Sequence, residues 1–466
     1  MTGRLRREHG PVLLVAVLAS AFGVALLQVT GYLASAIRAD DVTGSSGTAA
    51  LMLSIVAWVF IVIAVYVSGV VTANTVATVV AGRTRHIALL RLLGGSARAQ
   101  RGVIAREGLG VGALGAALGL VVGTGGAVLL SEWGIATDVL PRVDHAWADL
   151  VVLAPAVVAV LTTWLAAWAG SRRVLAVRPV EALGGSGERS TEELGRHRGR
   201  TVISLVLVAA GTLLLVGGVL LGLASPLGVL VGLAGGVISF TGIVLGAHLV
   251  MPPVLRIVGR ALGTSPPARL AAENAVRHPE RSSRMTIGLV IGVTLVTTFA
   301  VAMESYRDLL LAATDDRPDL RAGIEQLVSA TVAVFGILIG FSALIAAVGL
   351  VNTLSLSVLQ RTRELGLLRA LGFERRQLRG MVIAEAAALT AAATATGLVL
   401  GVGYGWAGAQ SMLGSVQGEP LVIPPSIPWG VVAALVGGAA VLTVVASLAP
   451  ARRATRVSPV TALAVE

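Results

Sequence analysis

RTRELGLLRALGFERRQLRG, residues 361–380, is a short, basic, amphipathic stretch held between two long apolar runs. RTRHIALLRLLGGSARAQRG, residues 83–102, is its echo. Laying residues 74–107 over 352–385 at a constant shift of 278 makes 15 of 34 positions identical without a gap. The identities include Asn74/Asn352, Thr75/Thr353, both Arg-Thr-Arg triplets, Gly94/Gly372 and Glu107/Glu385. Self-similarity at this spacing marks a duplicated structural unit. A second echo closes each copy: SRRVLAVRPVEAL at 171–183 and ARRATRVSPVTAL at 451–463, offset by 280.

The solvent of this fold follows from composition. The 466 residues are 55% apolar and 13% charged, about half the charge of a soluble domain. Apolar runs of about 20 residues are long enough to cross a bilayer. Such runs occur at roughly residues 11–37, 50–81, 103–131, 149–170, 201–223, 226–251, 285–303, 326–358, 381–412 and 428–450. The expected fold is an all-α integral membrane protein with ten transmembrane helices, arranged as two four-helix repeats joined by a two-helix hairpin. The expected units are 1–183, a linker plus hairpin over 184–262, and 263–466. The first apolar run exceeds the 7–15 residues of a secretory signal and is expected to stay as a helix.

Charge sets the orientation. All 36 basic residues are arginine. With the N-terminus inside, 31 fall on cytoplasmic segments and five (Arg38, Arg142, Arg307, Arg317, Arg321) outside. Cytoplasmic loops carry the excess of Arg and Lys, so both termini are expected in the cytoplasm of a multi-pass cell-membrane protein. The bilayer thus accounts for the net charge of +11, and nucleic acid is not needed to explain it.

Few residues suggest chemistry. A phosphate-binding loop of the G-x-x-x-x-G-K-[ST] kind needs a lysine, and the chain has none. GVGALG at 110–115 matches G-x-G-x-x-G but lies inside an apolar run, without a preceding strand. The six histidines are scattered without ligand spacing, and no cysteine is present. No catalytic, cofactor or metal site is expected. The outer loops are short, and the one at 304–325 concentrates acids. Glu304, Asp308, Asp315, Asp316 and Asp319 form a candidate outer contact for a cationic ligand, with a solvated connector as the alternative.

The basic segments make mechanical sense. In a helix, Leu365, Leu368 and Leu371 share a face, while Arg363, Glu364 and Arg369 offer polar contacts. Gly366 permits close approach, and Gly372 can end the helix in a left-handed cap. One such helix alone is equally a headgroup binder. Two at equivalent sites favour a gripping surface for a cytoplasmic partner. The small residues Gly115, Gly119 and Gly123 align with Ala393, Gly397 and Gly401, a spacing that lets helix backbones approach closely.

Asn352, Thr353, Arg361, Arg363, Glu364, Gly366, Leu368, Arg369, Ala370 and Gly372 together resemble the hallmark of the FtsX-like permease subunits of ABC transporters. That family includes the MacB, lipoprotein-release and bacitracin-export types. The tail carrying Pro450, Ala451, Arg452, Ala454, Pro459, Ala462 and Leu463 resembles the family's as well. The first copy departs from the pattern: His86 stands for the acid, Ala88 for the glycine and Leu92 for the alanine. The resemblance implies ATPase-coupling residues at Arg83, Arg85, Leu89, Leu90, Arg91 and Gly94, and again at Arg361, Arg363, Glu364, Gly366, Leu368, Arg369 and Gly372. It implies no enzyme activity in this chain, with ATP and Mg held by a separate cytoplasmic ABC ATPase, two copies per permease. Lipid-like, amphiphilic-peptide or hydrophobic drug cargo is the expected class, with membrane lipids as further partners. A non-transporting subunit relaying ATPase strokes to a cell-envelope enzyme or sensor kinase is the second reading.

Overall fold

The computed structural model describes residues 2–39, 95–137, 140–147, 149–171, 198–261, 279–313, 372–416 and 418–456, with scattered positions between 55 and 93 and Glu273. Among the described residues every regular element is helical. Helix α1 covers Thr2–Ala39, α2 Ala97–Ala136 and α3 Leu153–Gly170. Helices α4 (Arg198–Gly222) and α5 (Gly228–Leu245) form the hairpin, and α6 is Ala247–Ala261. The second unit contributes α7 (Pro279–Ala313), α8 (Arg375–Leu413) and α9 (Trp429–Arg456).

Seven of these helices, α1 to α5, α7 and α8, are long and apolar enough to cross a membrane, and α9 is apolar over Trp429–Val444. The expected second span is described only at scattered helical positions such as Ile55, Tyr66 and Val67, and the eighth lies outside the described residues. The all-helical membrane class is therefore the observed one.

Two interfaces show why the sequence folds this way. Helix α1 packs on α2, and α7 packs on α8. Gly123 lies so close to α1 that a Cβ would come within 2.6 Å of the Ala21 carbonyl oxygen. At Gly401 the same addition would come within 2.9 Å of the Thr294 carbonyl oxygen on α7. The small-residue stripe is thus the seam of each pair, where absent side chains let backbones touch. The partners also correspond: Gly119 meets Ser20 where Gly397 meets Val293. The first helices therefore align at a shift of 273 and the third helices at 278, so the second unit carries five more residues between them.

Two boundaries differ from expectation. The apolar run 226–251 is not one helix, because the chain breaks at Gly246 (φ −89°, ψ 11°) and restarts as α6. Gly246 is pressed against Ser204 Oγ and the Gly242 carbonyl, leaving no room for a side chain. The acidic stretch expected as a loop from 304 is helical as far as Ala313. Leu309 and Leu311 stay partly buried there, which keeps the last turns packed.

Candidate coupling ends and outer loops

The long helices of the two units begin at equivalent places. Helix α2 starts at Ala97 and α8 at Arg375, a shift of 278, each within the last part of its basic segment. Each start is capped by different chemistry. Ser96 Oγ accepts the Ala99 N–H at 3.2 Å, satisfying one of the orphan donors of a helix N-terminus. At the matching position Glu374 donates its own N–H to Gln377 Oε1 at 2.9 Å, a capping-box contact. Sequence identity is lost at 96/374, yet the boundary is kept.

Of the expected coupling residues, the structure describes Leu89 and Gly372. Leu89 is helical and exposed, and its carbonyl accepts the Leu93 N–H at 3.1 Å. Leu93 is 85% exposed, an apolar side chain offered outward just before the α2 cap. Gly372 has φ +95° with open space around it, the left-handed conformation that a glycine cap requires. Arg83, Arg85, Leu90, Arg91, Gly94, Arg361, Arg363, Glu364, Gly366, Leu368 and Arg369 lie outside the described residues. Further along α2, Arg101 is tied to the end of α3. Its guanidinium lies 5.0 Å from the Trp168 ring centroid and donates to Ser171 Oγ at 3.4 Å. The base of α2 is thereby fixed to its neighbour.

At the opposite end the loops after α2 and α8 fold back onto the helices. In the first unit, Tyr32 on α1 donates its hydroxyl hydrogen to the Pro141 carbonyl at 2.8 Å. Gln28 Nε2 reaches the Trp147 carbonyl at 3.0 Å. His145 stands edge-on to Trp147 at 4.9 Å and to Tyr32 at 5.8 Å. Burial among these rings pushes the His145 imidazole below the usual 6.5, with Asp149 opposing. In the second unit the anchor is α8 itself. Gln410 donates to the Leu421 carbonyl and accepts the Ile423 N–H, both at 2.7 Å. Trp406 Nε1 adds a bond of 2.8 Å to the Ile423 carbonyl.

The candidate outer acids are only partly brought together. Glu304 is half-buried on α7 and pairs with Arg307 at 3.0 Å. Asp308 is exposed one turn on, and Asp315, Asp316 and Asp319 lie outside the described residues.

Between the two ends sits a polar junction that sequence reasoning missed. Tyr66 shares a 2.9 Å hydrogen bond with Thr241 on α5, and Tyr404 of α8 shares one of 2.9 Å with Ser239. Phe240, between those two positions, meets both tyrosine rings edge-on at 6.2 Å. The available signal was rarity. The chain has four tyrosines, and a polar group inside an apolar run needs a partner. No group of acids and histidines able to hold a metal occurs among the described residues.

Known proteins match the same regions. A family model described as FtsX-like permease C-terminal matches twice, at residues 58–177 and 336–459, just over half of the chain. The uncharacterized ABC transporter permease YknZ of Bacillus subtilis is 30% identical over 148 residues, 32% of this chain and 35% of the relative. The macrolide export ATP-binding/permease protein MacB of Nitrobacter winogradskyi is 32% identical over 125 residues, 26% of this chain and 18% of the relative. MacB of Bdellovibrio bacteriovorus is 28% identical over 149 residues, 31% and 22% of the respective chains. The matched stretches thus span little more than a third of each of these relatives, or less.

Proposed function

The chain belongs to the FtsX-like permease family of ABC transporters, and on that premise we propose that it converts ATP hydrolysis by a separate cytoplasmic ATPase into movement of amphiphilic cargo at the outer leaflet. The observation that carries this reading is the paired start of α2 and α8. Each starts within a basic segment, is capped at an equivalent residue, and runs unbroken for 40 and 39 residues to an outer loop. At 1.5 Å per residue each is a rod of about 60 Å. A rod of that length delivers a displacement at one end to the loop hung on the other. The basic segments supply the grip, with Glu364 and Arg369 as its polar contacts in the second copy.

Cargo is of the lipid-like, amphiphilic-peptide or hydrophobic drug class, and the macrolide export of the MacB relatives' names falls within it. ATP and its magnesium sit in the ATPase. Two grips on one chain suit one permease per two ATPase chains, with both chain ends on the cytoplasmic face. Such proteins are placed in the cell membrane, where the arginine asymmetry orients them.

Co-reconstitution with the ATPase in nanodiscs tests this. A panel of lipids and amphiphiles is expected to stimulate ATP hydrolysis, and Glu364→Lys or Arg369→Glu to abolish the stimulation without affecting insertion. Unchanged stimulation in both variants, or cargo movement by the isolated chain, overturns the proposal. Equal numbers of the two proteins in the purified complex overturn the stoichiometry.

A further inference from the structure

Helix α6 begins just past the Gly246 break, at the arginine-rich end of the hairpin, where Arg200 of α4 donates to the Leu245 carbonyl at 3.1 Å. Its two faces divide cleanly. Ala247, Met251, Leu255 and Gly259 recur every four residues and are buried, and α6 packs on α7 and α8. On a helix turning about 100° per residue, Leu249, Pro253, Arg256, Ile257 and Arg260 fall on the opposite arc. All five are exposed, Ile257 by 69%.

That exposed face suits neither water nor hydrocarbon alone. Leu249 and Ile257 lose by facing water, while Arg256 and Arg260 lose by facing acyl chains. The conflict disappears at the headgroup boundary, where an amphipathic basic helix lies with its apolar residues toward the chains. The order along the helix fits that depth. Leu249 and Pro253 come first, and Arg256 and Arg260 occupy the last turns. The helix contains no acid, and neither arginine has a hydrogen bond or ion pair among the described residues. Four residues apart, the two side chains rise side by side and can bracket one phosphate.

We propose that the outward face of α6 binds an anionic phospholipid of the arginine-rich leaflet. Arg256 and Arg260 hold its phosphate, and Leu249 and Ile257 lie along its acyl chains. The occupant is a lipid because the exposed apolar side chains share the face with the cations. A soluble anion would leave them in water.

Native mass spectrometry of the full chain, released from nanodiscs of mixed phosphatidylglycerol and phosphatidylcholine, tests the site. The wild-type chain is expected to retain phosphatidylglycerol preferentially. Each of Arg256→Gln and Arg260→Gln is expected to lower that preference about fivefold. Arg256→Lys is expected to keep most of it, and Arg142→Gln, at an exposed arginine of the loop after α2, to change nothing. Inorganic phosphate is not expected to displace the lipid. An unchanged preference in the R256Q/R260Q double variant overturns the proposal. So does full displacement by inorganic phosphate, or an equal loss in Arg142→Gln. If the double variant keeps its lipid but no longer copurifies with the ATPase, the face belongs to a protein and the lipid site is refuted. Both side chains are exposed, so the variants are expected to unfold at the wild-type temperature, measured in the same samples.

Discussion

The helix pairs α1–α2 and α7–α8 share a register of glycines but are stitched in opposite ways. In the first pair Ser20 Oγ donates across the seam to the Ala116 carbonyl at 3.2 Å, and Gln28 Nε2 reaches Thr124 at 3.4 Å. In the second, the hydroxyls of Thr294, Thr297 and Thr298 on α7 and of Thr390 and Thr394 on α8 are buried without a partner. The loops after α2 and α8 follow suit. The first hangs from α1, so it ties two helices together. The second hangs from α8, and one long bond, Ser426 N–H to Ser305 Oγ at 3.5 Å, returns it to α7. Duplication preserved where backbones touch and let the cross-links diverge. The first pair is cross-linked by side chains, whereas the second is held by the fit of its surfaces.

The glycine seam gives the largest expected effect. Gly123→Val and Gly401→Val should each lower stability by about 3 kcal/mol through overpacking, read as the melting temperature of detergent-solubilised protein. A much smaller loss at Gly401 would sharpen the contrast, since only a yielding seam absorbs the added volume. Next comes Gln410→Leu, which strips both bonds at Leu421 and Ile423 and should cost about 2 kcal/mol. Gln28→Leu should cost less, because its Oε1 is already unpartnered. Equal losses would break the distinction between the two loops.

The third test reads a sign. Ser20→Ala should destabilise by about 1 kcal/mol, while Thr394→Val, removing an orphaned hydroxyl at nearly constant shape, should stabilise by about as much. Destabilisation by Thr394→Val would mean that the hydroxyl is satisfied after all. The smallest effect is protonic. The folded chain holds the His145 imidazole below its ordinary 6.5, so the unfolded chain binds more protons as pH falls through 6.5. The contribution of His145 to stability is therefore fully present above pH 6.5 and declines as pH falls toward its lower folded-state value. His145→Gln should flatten this slope in a pH series of melts. The second loop, residues 414–428, has no histidine and contributes no such slope.

The membrane class, the repeat at 278 and the small-residue seam were legible because they rest on period and composition, which a single chain displays. The 273 register of the first helices was not, since α1 and α7 share shape rather than residues. Gly246 was hidden for a related reason. A glycine within an apolar run reads as one more small membrane residue until its crowding against Ser204 is seen. Ser96 and Glu374 illustrate the same limit, since two different side chains close the same helix start. Tyr66, Tyr404, Gln28 and Gln410 went unread in the sequence, because their partners are from 11 to 175 residues away. The grip residues Arg363, Glu364 and Arg369 remain expectations drawn from sequence.

One turn of α5 serves both halves of the molecule. The first half clasps it at Thr241 and the second at Ser239, with Phe240 wedged between the two phenol rings. A single change at Phe240 would therefore remove a ring contact from both flanks at once. Three consecutive residues, Ser239 to Thr241, thus hold the contacts that join tyrosines from distant parts of the chain.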